Sequence, residues 1–192
     1  MNDTPGEEQI GVVIDYTLTV EGGKPSHRYS YELFLTHNTK KDTNERSLVT
    51  DISTQLDRVH KLTNFFDNKD MLTDPVYVMD QALDGSRMMV PICTPEYIKA
   101  FKEDRNSWPY QELGTFINWQ NSHKRDLIIP VLVGITRKEF EMQGNGIVGL
   151  PLKLSVEIPP SYITDKAIIP MKVEEIVKIY NDYLKQWDSI SS

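Results

Sequence analysis

Residues 87–112 read RMMVPICTPEYIKAFKEDRNSWPYQE and contain the strongest structural signals in the chain. Residues 88–93 within this stretch form a short and nearly all-apolar run, which is typical of a strand buried on both faces of a parallel sheet. A polar break follows at once, because residues 94–97 leave the strand and residues 102–106 form a charged loop. The sequence therefore predicts a central buried strand whose carboxyl end opens into a loop.

A helix is predicted directly after this loop. Ser107 is suited to be its N-cap, and Pro109 falls inside the first turn, where a missing N–H is tolerated. Trp108 and Glu112 then stand four residues apart on one helix face. Since ligands bind beyond the carboxyl ends of the strands in open α/β sheets, Glu112 is a candidate catalytic carboxylate. The ordinary alternative is a solvated glutamate favoured by the helix dipole, beside a tryptophan that only packs.

The remainder of the chain alternates strands and helices. Further strands are predicted over residues 28–36, 62–66, 127–133 and 152–158. Helices are predicted from the spacing of apolar residues over 48–59, ending at Val59, and over 76–83, 136–142 and 173–187. This alternation predicts an α/β fold built on a doubly wound, flavodoxin-like, mostly parallel five-stranded sheet.

The first residues form a separate predicted unit. Apolar and polar residues alternate over 12–20, which predicts a half-buried strand, and residues 21–25 have the composition of a turn. We therefore expect an N-terminal extension over residues 1–27 with one extra strand, and a single α/β domain over residues 28–192.

Bulk composition argues against several classes of protein. The net charge of −7 disfavours a sequence-independent nucleic-acid binder, which needs an excess of Lys and Arg. The single cysteine, Cys93, allows no intrachain disulfide, and the four histidines stand at no metal-ligand spacing, so we expect no metal site. The N-terminus lacks signal-peptide features and no stretch approaches the roughly 18 apolar residues of a membrane span. We expect a cytoplasmic protein without a membrane partner.

Three other kinds of site fit the sequence less well. Residues 144–149 match the dinucleotide pattern G-x-G-x-x-G, but a strand-like run rather than a helix follows them. A phosphoacceptor receiver domain needs acidic residues after its first and third strands, where this chain has His37-Asn38 and Cys93-Thr94. Cys93 has no partner base that the sequence identifies, and a buried free cysteine usually serves packing.

Four motifs occur in order along the chain. They are YELFLTHN at 31–38, FFD at 65–67, SWPYQEL at 107–113 and RDLIIPV at 125–131. This ordered set resembles the Toll/interleukin-1 receptor/resistance (TIR) domain, whose opening strand reads V-F-L-S-H and whose second strand ends F-x-D. The family continues with S-W-C-x-x-E-L and I-I-P-V. The resemblance implies a TIR-like domain over residues 28–192.

The resemblance is to the NAD-cleaving branch of the family, and it implies NAD as the substrate, with no further cofactor and no metal. In those enzymes the catalytic glutamate stands four residues after the tryptophan of the third motif, which here is Glu112 after Trp108. Asn38 stands where the animal enzyme has a basic residue, so Lys40 or Lys41 would meet the phosphates. The substrate-binding residues implied in this way are Trp108, His37, Asn38, Lys40, Phe66, Asp67, Asp74 and Val76.

We therefore expect a TIR-domain enzyme that cleaves the nicotinamide–ribose bond of NAD, giving ADP-ribose or a cyclic ADP-ribose isomer as an immune or antiphage signal. A bacterial antiphage protein of the Thoeris-like kind is the nearest expectation. The resemblance also implies self-association through the BB-like loop at 68–75, with a separate sensor or effector chain. The main alternative is a non-enzymatic adaptor acting by TIR–TIR association, and a flavodoxin-like nucleotide-binding protein without TIR chemistry is a third reading.

Overall fold

A five-stranded sheet forms the centre of the computed structural model, which describes residues 20–21, 24–25, 30–38, 43–66, 75–142, 147 and 149–190. Its strands are β3 (Tyr31–Thr36), β4 (Asn64–Phe66), β5 (Ser86–Cys93), β6 (Val131–Val133) and β7 (Val156–Ile158). They are all parallel and follow the order β4-β3-β5-β6-β7. The predicted doubly wound, flavodoxin-like α/β fold is confirmed, and the sheet is fully rather than mostly parallel.

Helices cover both faces of this sheet. They are α1 (Thr43–Arg58), α2 (Pro75–Asp84), α3 (Pro95–Glu103), α4 (Trp108–His123), α5 (Arg137–Met142) and α6 (Ile168–Ile190), with 3-10 turns at Leu152–Leu154 and Pro160–Ile163. Helices α1 and α6 pack on the first face, whereas α2, α3 and α4 pack on the second. The core is therefore two layers divided by the sheet.

The alternation of side chains along each strand supplies both layers. On β3, Leu33 and Leu35 enter the core of the first face, and Phe34 enters the core of the second. Helix α1 buries its predicted apolar stripe on the first face, from Leu48 onward. Val59, predicted to extend that stripe, is 59% exposed because the helix ends at Arg58.

Two prolines interrupt the pairing of β5 with β6. Met89 and Ile128 form an isolated bridge, and regular pairing resumes only at Ile92 and Val131. Pro91 and Pro130 lie between these points, and neither has an N–H to donate to the ladder. The strand predicted over 127–133 is therefore shortened to Val131–Val133.

Helix α3 corrects the prediction for the segment after the central strand. Residues 94–97 were expected to leave the strand as a loop, but Thr94 is the N-cap of α3 and its side chain accepts a hydrogen bond from the backbone N–H of Tyr97 at 3.1 Å. Pro95 occupies the first turn of the helix, where its fixed φ favours the helical conformation. Proline starts a helix here, although the sequence interpretation took it as a break.

Two smaller corrections concern the fifth strand and the N-terminal region. The fifth strand begins at Val156 rather than at 152, because residues Leu152–Leu154 form a 3-10 turn. Near the N-terminus, β1 (Val20–Glu21) pairs antiparallel with β2 (Lys24–Pro25), so part of the predicted turn at 21–25 is paired strand. Residues 12–19 of the predicted extra strand lie outside the described residues. No helix within the described ranges is long and apolar enough to cross a membrane.

Candidate active site

The strand order creates a crevice between the carboxyl ends of β3 and β5. The chain leaves β3 into α1 on the first face, but it leaves β5 into α3 and α4 on the second face. Connections that diverge in this way open a space between neighbouring strands, and ligands of doubly wound proteins bind there. Thr36 is the last residue of β3, and Thr94 directly follows β5.

Glu112 reaches this crevice from the second turn of α4. The helix starts where the sequence predicted, because the Ser107 hydroxyl accepts a hydrogen bond from the Tyr110 backbone N–H at 3.3 Å and Pro109 occupies the first turn. Glu112 is 4% exposed, and its Oε2 accepts a hydrogen bond from the Thr36 hydroxyl. The candidate carboxylate is therefore buried at the end of β3.

A second buried carboxylate comes from the first turn of α1. Glu45 is 1% exposed, and both of its carboxylate oxygens accept hydrogen bonds from the protein. The backbone N–H of Asn38 donates to Oε1 at 2.7 Å, and the Thr94 hydroxyl donates to Oε2 at 3.0 Å. Glu45 therefore ties the loop after β3 to the end of β5.

Each of the two carboxylates is hydrogen-bonded to a threonine. We term these two contacts, Thr36 with Glu112 and Thr94 with Glu45, the crossed pairs. In each pair, the threonine at the end of one strand donates to a glutamate on a helix that follows the other strand. Helices from opposite faces are thereby linked across the crevice. Burying a carboxylate is unfavourable unless donors compensate it, so each threonine hydroxyl offsets part of the cost of burying its glutamate.

Tyr97 and Cys93 complete the buried lining on the second face. The Tyr97 hydroxyl lies 3.4 Å from Thr36 Oγ1, and burial raises the tyrosine pKa well above its ordinary value, with further contributions from Cys93 and both glutamates. Burial, and then the charge of Glu45, also raises the pKa of the Cys93 thiol. Both groups are protonated at neutral pH, so Cys93 is not available there as a thiolate nucleophile.

The predicted site residues are only partly brought together. Asn38 joins the crossed pairs through its backbone, and His37 is buried beside it, with Nδ1 3.3 Å from the Asn38 carbonyl oxygen. Trp108 is half-buried and packs against the core of the second face, the face from which Glu112 comes. Phe66 packs instead against the core of the first face.

The side chains of the other predicted substrate-binding residues lie outside the described part of the chain. Lys40, Asp67 and Asp74 lie outside the described residues. Val76 belongs to α2, but its side chain is not among those described. Within the described ranges, no group of three or more His, Cys, Asp or Glu residues could hold a metal ion.

The crossed pairs contain three residues that sequence reasoning missed: Thr36, Glu45 and Thr94. The predicted first helix rests on the apolar spacing that begins at Leu48, so Glu45 lies before its predicted start. A usable signal was present, because polar residues directly after neighbouring parallel strands meet at one edge. The partners themselves, 49 and 76 residues apart in sequence, have no local signature.

The fold and the crevice define a doubly wound α/β protein with two buried carboxylates at its switch point, each hydrogen-bonded to a threonine. A family profile described as the TIR domain matches residues 33–153, and the chain belongs to that family. Among solved structures, the chain is similar to the TIR domains of the activated Roq1 resistosome directly recognizing the pathogen effector XopQ. The identity is 16%, the match covers 79% of this chain and 84% of that chain, and the TM-score is 0.46. No curated protein matches.

Proposed function

We propose that this TIR-domain protein is an enzyme that cleaves the nicotinamide–ribose bond of NAD, with Glu112 as its catalytic carboxylate. The observation that supports this most directly is the position of Glu112, which is buried at the switch-point crevice and fixed by the Thr36 hydroxyl. Trp108 precedes it by one helical turn. The product is ADP-ribose or a cyclic ADP-ribose isomer, acting as an immune or antiphage signal.

The reaction suits a site with few functional groups. Nicotinamide is already a cationic leaving group, so it departs with the electron pair of the broken bond and needs no general acid. The ribose is left as an oxocarbenium-like cation, which a nearby carboxylate stabilises. Water then adds at C1′ and loses a proton to give ADP-ribose, whereas addition of an internal nitrogen or hydroxyl gives a cyclic isomer.

The surroundings of Glu112 strengthen its effect on the developing positive charge. Charges interact more strongly where water is excluded, and Glu112 is nearly fully buried. The Thr36 hydroxyl orients the carboxylate without neutralising it. In this proposal the ring of Trp108 flanks the ribose, and Asn38 with Lys40 faces the phosphates.

Nicotinamide release from NAD by the purified protein tests the proposal. Glu112→Gln keeps the shape of the side chain but removes its charge, so turnover should fall at least about a hundredfold. Glu103→Gln is the matched control, because Glu103 lies on the neighbouring helix α3 and its side chain is 66% exposed. Its turnover should equal that of the parent. Full turnover in a folded Glu112→Gln protein would overturn the assignment of the catalytic carboxylate.

A non-enzymatic adaptor is the second candidate, because a buried, hydrogen-bonded Glu112 is also compatible with a purely structural role. In an adaptor, Glu112, which is 4% exposed and hydrogen-bonded to Thr36, would have the single role of holding α4 against β3. An adaptor would release no nicotinamide at any protein concentration, and Glu112→Gln would change its stability alone. The same assay therefore separates the two functions.

We propose further that activity depends on self-association through the loop at 68–75, with a separate sensor or effector chain. In this proposal a second copy covers the crevice and excludes water from the reacting nucleotide. The loop carries Asp70 and Asp74, and like charges keep resting copies apart. Specific activity should rise with protein concentration, and Asp70→Asn should lower the concentration at which it rises. Constant specific activity in a protein that light scattering shows to be monomeric would contradict this.

A further inference from the structure

A cavity opens at the amino edge of the sheet, at the other end of β5 from the crossed pairs. Its volume is about 210 Å³. Ser86 and Arg87 contribute from the start of β5, and α4 contributes side chains from its second half. The lining includes Asp84, Arg87, Phe116, Trp119, Arg125 and Trp187. Nothing in the proposed cleavage of NAD requires this cavity.

Aromatic side chains form much of the apolar part of the cavity wall. Phe116 and Trp119, three residues apart on α4, hold their ring centroids 5.0 Å apart with the rings tilted by 58°. Trp187 approaches from the last turns of α6, and Leu127 adds an aliphatic contact. Flat apolar ligands are bound by walls of this kind, because rings pack on rings and release water from both.

The two arginines of the cavity differ in what they bind. Arg87 forms an ion pair with Glu32 at 3.5 Å and donates to the Tyr180 hydroxyl at 3.4 Å. Arg125 lies over the ring of Trp187, with its guanidinium carbon 5.7 Å from the ring centroid. Among the described residues no carboxylate forms an ion pair with Arg125. A guanidinium stacked on an indole keeps its N–H donors directed outward, toward a planar anion.

Size and charge restrict the ligand further. The cavity is smaller than the roughly 300 Å³ at which sites for drug-sized ligands begin. It therefore suits one or two fused rings rather than a whole dinucleotide. Asp84 also lines the cavity, and its negative charge disfavours a ligand with two or more negative charges.

We propose that this cavity binds a small aromatic monoanion, a flat compound of one or two rings that carries a single carboxylate. Its rings lie against Trp119 and Trp187, and its carboxylate accepts hydrogen bonds from the guanidinium of Arg125. Binding is independent of NAD cleavage, so a failure of one proposal does not affect the other.

Two matched probes test the charge requirement. Indole-3-acetate carries the carboxylate, and indole-3-acetamide has nearly the same shape without charge. Isothermal titration with each probe should show the acid binding about fivefold to tenfold more tightly than the amide. Arg125→Gln should abolish this preference while leaving the affinity for the amide unchanged. Arg105→Gln, an exposed arginine in the turn before α4, should behave as the parent protein.

The tryptophans locate the bound probe. The chain has three, and Trp108 lies in the first turn of α4, away from the cavity. In a nitrogen–proton NMR spectrum, the indole signals of Trp119 and Trp187 should shift with indole-3-acetate, whereas that of Trp108 should not. Absence of any shift at 10 mM probe, or equal binding of the acid by the parent and Arg125→Gln proteins, would overturn the proposal.

Discussion

Glutamate side chains have different surroundings at the two edges of the sheet. At the carboxyl edge, Glu45 is 1% exposed and receives a neutral donor on each oxygen, from the Asn38 N–H and the Thr94 hydroxyl. At the amino edge, the side chain of Glu32 is 31% exposed and lies 3.5 Å from a charged partner, Arg87. Tyr180 also donates to Glu32.

This difference indicates where the chain departs from what stability alone would favour. A partly exposed ion pair is screened by water and contributes little. A buried carboxylate needs its donors, since losing them leaves an unfavourable charge, and an apolar core would avoid the requirement altogether. Sites at which a fold tolerates buried carboxylates are often functional. The carboxyl edge contains two such carboxylates, those of Glu45 and Glu112.

The largest difference should come from replacing each glutamate by alanine. Glu45→Ala leaves the Asn38 N–H and the Thr94 hydroxyl buried without their acceptor, so it should lower the free energy of unfolding by about 2–5 kcal/mol. Glu32→Ala should lower it by less than about 1 kcal/mol. Urea denaturation of the two variants and the parent measures both values. Equal losses would show that burial does not distinguish the two edges.

A subtler pair of variants removes one hydroxyl at each edge while keeping the side-chain shape. Thr36→Val removes the donor to the buried Glu112 and should destabilise the protein by about 1–3 kcal/mol, with a loss of NAD cleavage if Glu112 is catalytic. Thr63→Val is the matched change at the amino edge, where the hydroxyl of this exposed threonine accepts from the Glu32 N–H at 3.1 Å. Its loss should stay below about 1 kcal/mol. A larger loss for Thr63→Val would reverse the comparison.

The smallest expected effect concerns Glu139. It tests whether the exposure of a glutamate, rather than its position at the carboxyl edge, determines how much its hydrogen bonds contribute to the free energy of unfolding. Glu139 also lies beyond the carboxyl end of a strand but is exposed, and it accepts from the backbone N–H and hydroxyl of Thr136 at 2.8 and 2.7 Å. The backbone hydrogen bond, and then the hydroxyl, lowers the pKa of Glu139. The stabilisation is therefore complete above the ordinary glutamate pKa and is lost as the pH falls through the lowered pKa.

Carbon NMR of the Glu139 carboxyl group checks this directly, because its titration midpoint should lie below that of an unstructured glutamate. Glu139→Gln should speed hydrogen exchange at the Thr136 amide while leaving the urea midpoint almost unchanged. A clear shift of that midpoint would mean that this exposed cap contributes as much as the buried pairs.

Local patterns predicted most of the fold, and they failed where contacts are long-range. The buried β5 strand and the helix from Ser107 through Glu112 carry their signals within a few residues, so both were predicted. The missed helix α3 begins with a proline that also fits a strand exit. The missed partner of Glu45, Thr94, lies 49 residues away, and no periodicity reports such a contact. The sequence thus predicted the edge and Glu112, but not the donors that hold them.

Cys93 makes the opening of that edge measurable without any engineered label. It is the chain's only cysteine, its side chain is 0% exposed, and its thiol pKa is raised by burial and by Glu45. A thiol reagent can therefore react only in molecules where the carboxyl end of β5 has separated from its neighbours. The rate of labelling under native conditions reports the free energy of that local separation, apart from global unfolding. Local opening of the candidate active site can thus be measured in the unmodified chain, with and without a bound nucleotide.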